Sequence, residues 1–162
     1  MIAEPSLRAA SLRAVFENTV FLSSLTSLFV AQLLKGIVYV LGGKPRRAGE
    51  LVEVIVWRTG GMPSSHAALA CALCVSIAFA EGATSNIFFL SLWFALVVLR
   101  DAMGVRRSAG LSTKALNSIG KAAAEKLGVE FHPAKEVLGH TPLEVVVGGL
   151  LGVFIAAGIS LL

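Results

Sequence analysis

The sequence predicts an all-α integral membrane helical bundle, about four membrane helices with an amphipathic surface helix. Three observations predict it. Apolar residues make up 56% of the 162 before the 16 Gly are counted, and Asp, Glu, Lys and Arg only 15%. Soluble domains hold about 45–50% apolar residues with Gly included and about 25% charged ones. The charges are also segregated. Of 14 basic and 10 acidic residues, only Lys35 lies inside the apolar windows 20–41, 67–80, 87–99 and 145–162. Finally, the basic residues outside those windows gather on one side of the topology they imply. Disorder is excluded, because it requires the opposite balance of charge and hydrophobicity. The length fits a single membrane domain, 1–162.

The elements follow in order. Within residues 1–18, Leu7, Ala10, Ala14 and Val15 recur near helical spacing beside Arg8 and Arg13, which predicts an interfacial helix. Window 20–41 is long enough to cross a bilayer, since about 20 helical residues span a hydrocarbon core of ~30 Å. Its apolar run exceeds the ~7–15 residues of a signal-peptide core, and no small-x-small cleavage pattern follows. Gly42-Gly43-Lys44-Pro45 ends it. Residues 50–56 form a short apolar stretch with no structure assigned. The two middle windows reach span length only with polar flanks, as 64–81 and 86–103. Pro63 and Ser64 supply the first of these with a helix start. The alternatives are re-entrant middle helices or, in a soluble fold, two buried core helices.

The connection 104–144 is the longest polar region. Leu116, Ile119, Ala123 and Leu127 repeat at three and four residues, with Lys114, Lys121, Glu125 and Lys126 mostly on other faces. An amphipathic helix ending at Gly128 is expected, lying on the cytoplasmic surface. The last span begins at Thr141-Pro142. Cys71 and Cys74 are expected to be small packing residues, since nothing with zinc-site spacing accompanies them.

Orientation follows from the cations. With four spans, Arg8 and Arg13 share one side with the short loop 82–85. Lys44, Arg46, Arg47, Arg58, Arg106, Arg107, Lys114, Lys121, Lys126 and Lys135 lie on the other, with Arg100 at its edge. The positive-inside rule places that side in the cytoplasm of a bacterial-type inner membrane, with both termini outside. The net charge of +4 reflects this asymmetry. Membrane lipid is the expected partner and no nucleic acid is, because basic residues beside apolar spans set topology or meet anionic lipid.

Three clusters could carry chemistry. In Thr59-Gly60-Gly61-Met62-Pro63-Ser64-Ser65-His66, two glycines let the backbone approach a ligand, and the following helix offers free N–H groups to an anion. His66 could protonate a leaving oxygen there. The plain alternative is a loop with a serine N-cap. In Leu138-Gly139-His140-Thr141-Pro142-Leu143-Glu144, a carboxylate four residues on could orient the His140 imidazole. Yet Thr141 and Glu144 also have the spacing of a capping box, and one carboxylate has limited reach for both tasks. The third cluster is Arg100-Asp101 with Arg106-Arg107. Guanidinium groups are good phosphate ligands, but these could equally set topology, with Asp101 pairing a neighbouring arginine. Lys35, one turn after Gln32, is an intramembrane charge and so a functional candidate, although it is close enough to the cytoplasmic end to snorkel. The topology brings all of these candidates to one membrane face. His132 reads as a surface histidine.

Gly60-Gly61-Met62-Pro63-Ser64-Ser65-His66, Asp101-x-x-Gly104-Val105-Arg106-Arg107 and Leu138-Gly139-His140-Thr141-Pro142-Leu143-Glu144 together resemble the divergent branch of the type-2 phosphatidic acid phosphatase family. That branch is also described as acid phosphatase/vanadium-dependent haloperoxidase related. The resemblance runs from about residue 22 to 162. In the parent family a Pro-Ser-Gly-His motif supplies phosphate contacts and an acid histidine, which the match carries to Ser64 and His66, with Ser65 replacing glycine. A later Ser-Arg-x5-His-x3-Asp motif supplies an arginine, the nucleophilic histidine and its carboxylate. It carries to His140 and Glu144, with Glu replacing Asp. The Ser-Arg pair is absent, because Pro133 and Ala134 occupy those spacings beside Lys135. The family's opening Lys-x6-Arg-Pro motif is not found either, which leaves Lys35, Arg106 or Arg107 as stand-ins.

The resemblance implies a phosphatase-like protein acting on a lipid phosphate or related phosphomonoester. His66, His140 and Glu144 would be catalytic. Lys35, Gly60, Gly61, Ser64, Ser65, Asp101, Arg106 and Arg107 would bind substrate. No metal or other cofactor is expected. The alternatives are a catalytically silent protein that binds or carries an anionic lipid headgroup, and a purely structural bundle. In the latter, Gly148, Gly149 and Gly152 would promote close helix packing, and the Gly148-x-x-x-Gly152 pair hints at a homo-oligomer.

Overall fold

The computed structural model describes residues 13–43, 60–136 and 139–162. Its helices are α1 (Thr19–Leu41), α2 (Ser65–Glu81), α3 (Asn86–Met103), α4 (Val105–Leu127) and α5 (Pro142–Ser160). No strand occurs among the described residues, so the chain is an all-α membrane bundle. Residues 13–17 are helical too, while the rest of the interfacial helix expected in 1–18 lies outside the described residues, as does the apolar stretch 50–56.

Polar caps set the helix starts. Asn18, Ser64, Ser85 and Thr141 are the N-caps of α1, α2, α3 and α5, and each side-chain oxygen accepts a first-turn N–H. Such caps satisfy donors that have no intrahelical partner. Thr19–Leu41, the helical run Asn86–Leu127 and Pro142–Ser160 are each long and apolar enough to cross a membrane. The run Asn86–Leu127 is broken at Gly104, which leaves the helical region with φ −101° and ψ −85°. α2 is shorter, at 17 residues, or roughly 26 Å at ~1.5 Å per residue.

α2 is the centre of the bundle, packing against α1, α3 and α5, while α1 also meets α5. Its composition explains the position. Ala67, Ala68, Ala70, Ala72, Cys74 and Ser76 are all buried, and small side chains let neighbouring backbones approach closely in a membrane bundle. Cys74 packs with Ala70 and Ala95, as expected of a packing residue. α1 answers with Ser23, Ser27, Ala31 and Lys35, buried at four-residue intervals along one face. α5 answers with glycine. A methyl on Gly148 would fall on the Ser64 backbone, and one on Gly152 on the Ala68 carbonyl. The pair read as a hint of a homo-oligomer is therefore used inside the chain, to seat α5 on α2.

α4 begins earlier than the periodic segment 116–127 suggests and, among the described helices, packs only against α3. It ends as expected at Gly128, in the left-handed region at φ 66°. Leu116, Ile119 and Leu127 are exposed. One contact was not legible in the sequence. Asn117 is buried and clamps the returning segment through both amide atoms. Its Nδ2 donates to the Ala134 carbonyl at 2.9 Å and to Glu136 Oε1 at 3.0 Å, and its Oδ1 accepts from Ala134 N–H at 2.9 Å. Asn117→Ala should free this segment at a cost of about 1–3 kcal/mol. Faster amide exchange around Ala134, with α2 and α5 protected as before, would be the signature.

Candidate functional site

The first and second clusters of the sequence meet where α2 and α5 begin. The Ser64 N–H donates to the Glu144 carbonyl at 3.0 Å, and the His140 N–H donates to the Ala102 carbonyl at 3.2 Å. These two bonds tie the start of α2 to the first turn of α5, and the residue before the Thr141 cap to the end of α3. Beneath them Ala67, Ala102 and Val145 form a buried cluster with Leu99 and Met103 against it. Gly139 permits the approach, since a methyl there would fall on the Arg107 backbone.

His140 is 6% exposed. Its Nδ1 lies 3.1 Å from Glu144 Oε2, and the same oxygen accepts the Thr141 N–H at 3.0 Å. The Glu144 N–H returns a 3.3 Å bond to Thr141 Oγ1, which completes a capping box. The two roles that spacing set against each other are thus both realised, because one oxygen has lone pairs for both donors. With Nδ1–H donating to the carboxylate, Nε2 is left with a lone pair. Burial lowers the His140 pKa from its ordinary value, against an upward pull from the Glu144 hydrogen bond and charge, while Lys35 and Arg106 add to the lowering. The neutral imidazole is therefore favoured at neutral pH.

His66 stands exposed in the first turn of α2. Arg106, His140, Lys35 and Asp101 all lie within its electrostatic reach. Lys35 is 5% exposed. It shares the inward face of α1, and its stem packs where a side chain on Gly61 would sit. The outward snorkelling open to it in the sequence is thus replaced by burial against the loop. Gly60 and Gly61 both have φ of +91°, a conformation that side chains strongly disfavour. Arg106 Nε pairs with Asp101 Oδ2 at 2.6 Å, with side chains 49% and 37% exposed.

The remaining candidates fall differently. Ser64 is fully buried, its hydroxyl accepting Ala67 N–H at 3.4 Å and its own N–H taken by Glu144. It frames the site from beneath. The N–H groups of Ser65 and His66 have no acceptor among the described residues, as expected of a helix's first turn. Arg107 contributes backbone to the Gly139 contact. The site thus gathers Lys35, Gly61, His66, Asp101, Arg106, His140 and Glu144. Sequence reasoning missed the Ala102 carbonyl, and it placed Gly139 in a motif without seeing its contact with Arg107. Neither has a signal beyond position, since a backbone acceptor leaves no trace in residue type.

The described residues thus form an apolar four-helix membrane core with two histidines, a carboxylate and two cations at one end. The chain belongs to the family described as the Divergent PAP2 family, whose model matches residues 16–155. It is similar to an uncharacterized membrane protein of Bacillus subtilis (strain 168), YuiD, with 37% identity over 152 residues. The match takes in 85% of this chain and 91% of that one. No solved structure matches it.

Proposed function

We propose that this protein hydrolyses a lipid phosphate or related phosphomonoester through a histidine nucleophile, at the cytoplasmic face of a bacterial-type inner membrane. The observation that carries the reading is the 3.1 Å contact of His140 Nδ1 with Glu144 Oε2, because it leaves Nε2 as an oriented nucleophile. The Nε2 lone pair attacks phosphorus and the bond to the leaving oxygen breaks. His66 gives that oxygen its proton. Glu144 stabilises the cationic ring of the phosphohistidine. His66 then takes a proton from water as the water oxygen displaces Nε2 from phosphorus. Lys35, Arg106 and the N–H groups of Ser65 and His66 supply positive potential to the phosphoryl oxygens, with Gly60 and Gly61 admitting the ligand to the backbone.

The deciding experiment is phosphate release from a panel of lipid phosphates by the purified protein. A protein that binds a phosphate analogue yet releases no phosphate from any of them is a headgroup binder or carrier. The absent Ser-Arg pair favours that second reading.

The pH profile carries a further test. Neutral His140 is the reactive form, and its pKa is lowered, so phosphohistidine formation should fall on acidification only below about pH 6.5. Glu144 pulls that pKa upward, so Glu144→Gln should move the acid limb to lower pH. It should also lower the plateau, on the order of a hundredfold, because the cationic ring loses its carboxylate. An acid limb that moves upward, or does not move, would remove Glu144 from the mechanism.

The cytoplasmic placement rests on Lys and Arg asymmetry. Cysteines placed at Arg47 and Lys121 should label only in permeabilised cells, and one at Ser85 from outside. Reversed accessibility would turn the histidines to the external face.

A further inference from the structure

A second cleft lies at the elbow between α3 and α4, with a volume of about 1150 Å³. Leu96, Leu99 and Met103 wall it on α3, and Arg100, Ser108 and Ser112 stand at its polar side. It is separate from the histidine centre. Asp101, which His66 feels, and Arg100 are consecutive on a helix that turns about 100° per residue, so they project from different flanks of α3.

Three features of the cleft bear on its occupant. Arg106 has Asp101, but Arg100 has no ion-pair partner among the described residues. Ser108 and Ser112, one turn apart on α4, carry hydroxyls with no hydrogen bond among the described residues. The apolar wall belongs to a membrane-crossing helix, and Leu96, Val97 and Trp93 on it are exposed, so the cleft continues the surface that faces hydrocarbon. An unpaired guanidinium and two hydroxyls form a binding set for a phosphodiester. Arg100 lies in the last turn of α3, and Ser108 and Ser112 follow it on α4.

We infer that this elbow binds one anionic glycerophospholipid of the surrounding leaflet, its phosphate on Arg100, Ser108 and Ser112 and an acyl chain along Leu96, Leu99 and Met103. A soluble phosphate ester would leave the apolar wall bare, and a neutral lipid would leave the guanidinium unpaired. The bound lipid would fix the angle between α3 and α4, since α4 packs against no other described helix. The inference does not rest on hydrolysis at the histidine centre.

Native mass spectrometry of the full chain, delipidated in detergent and titrated with phosphatidylglycerol or phosphatidylcholine of equal chain length, tests it. One phosphatidylglycerol should be retained per chain, about tenfold more tightly than phosphatidylcholine. Arg100→Gln should remove that preference and Arg100→Lys should restore most of it. Ala109→Trp, which fills the cleft without touching its charge, should displace the lipid. His140→Ala should leave retention unchanged, and millimolar inorganic phosphate should not compete. Equal retention of the two lipids, an unchanged preference in Arg100→Gln, or retention in Ala109→Trp would overturn the inference. Loss of lipid in His140→Ala or on adding phosphate would do so as well, by moving the binding to the histidine centre. A phosphate-release assay that fails on every substrate would leave these outcomes untouched.

Discussion

His140→Ala is expected to abolish phosphate release, by on the order of a thousandfold or more, while keeping most of the affinity for a phosphate analogue. The substitution removes the attacking Nε2 but leaves Lys35, Arg106 and the first-turn N–H groups of α2 in place. Loss of a nucleophile acts on the transition state alone, whereas loss of a binding cation acts on ground and transition states together. Arg106→Ala should accordingly weaken analogue binding, by about 1.5–3 kcal/mol for a charge-assisted contact. It would also strand Asp101, which the Arg106 guanidinium now neutralises. His66→Ala should slow turnover most for substrates with poor leaving groups, since those depend most on protonation. Burst kinetics and acid-labile phosphate on the protein would mark the covalent intermediate. If His140→Ala turned over like wild type, the nucleophile would have to be sought elsewhere, with the fold and the family unchanged.

Gly152→Val is expected to have the largest effect on stability. Even a single methyl at this position would fall on the Ala68 carbonyl, and both partners are helix backbone, which has no rotamer by which to yield. α5 would have to move away from α2, losing contacts down the centre of the bundle. Overpacking costs typically about 1–3 kcal/mol and more where no side chain can give way. The same shift would draw the Glu144 carbonyl from the Ser64 N–H, so activity and stability should fall together. Thermal unfolding in detergent, followed by near-ultraviolet circular dichroism, reads the effect. Gly158→Val is the control, since a methyl on Gly158 meets nothing within 4 Å.

Much of the fold was legible because membrane burial selects residues by solvent transfer, and solvent transfer is written in composition. The apolar windows, extended by their polar flanks, land on α1, α2, α3 and α5. Ser64 and the Thr141–Glu144 pair were legible as caps because caps are local, resting on a hydrogen bond across three residues. Gly128 was legible for the same reason. In the site, shared membrane face was as far as sequence could go. That His66, His140, Lys35 and Arg106 share one electrostatic neighbourhood depends on how four helices cross, and no local pattern encodes a crossing.

The sequence alone therefore determined the class of protein, its membrane helices with the caps at Ser64 and Thr141, and the family whose motifs it carries. The tertiary structure decided how ambiguous residues are used. It turned Lys35 inward onto Gly61, gave one Glu144 oxygen to both Thr141 and His140, and spent Gly148 and Gly152 within the chain. Each of these is a choice between partners distant in sequence. Such choices are made by close packing and by the need to satisfy buried polar groups, which act only once the helices have met.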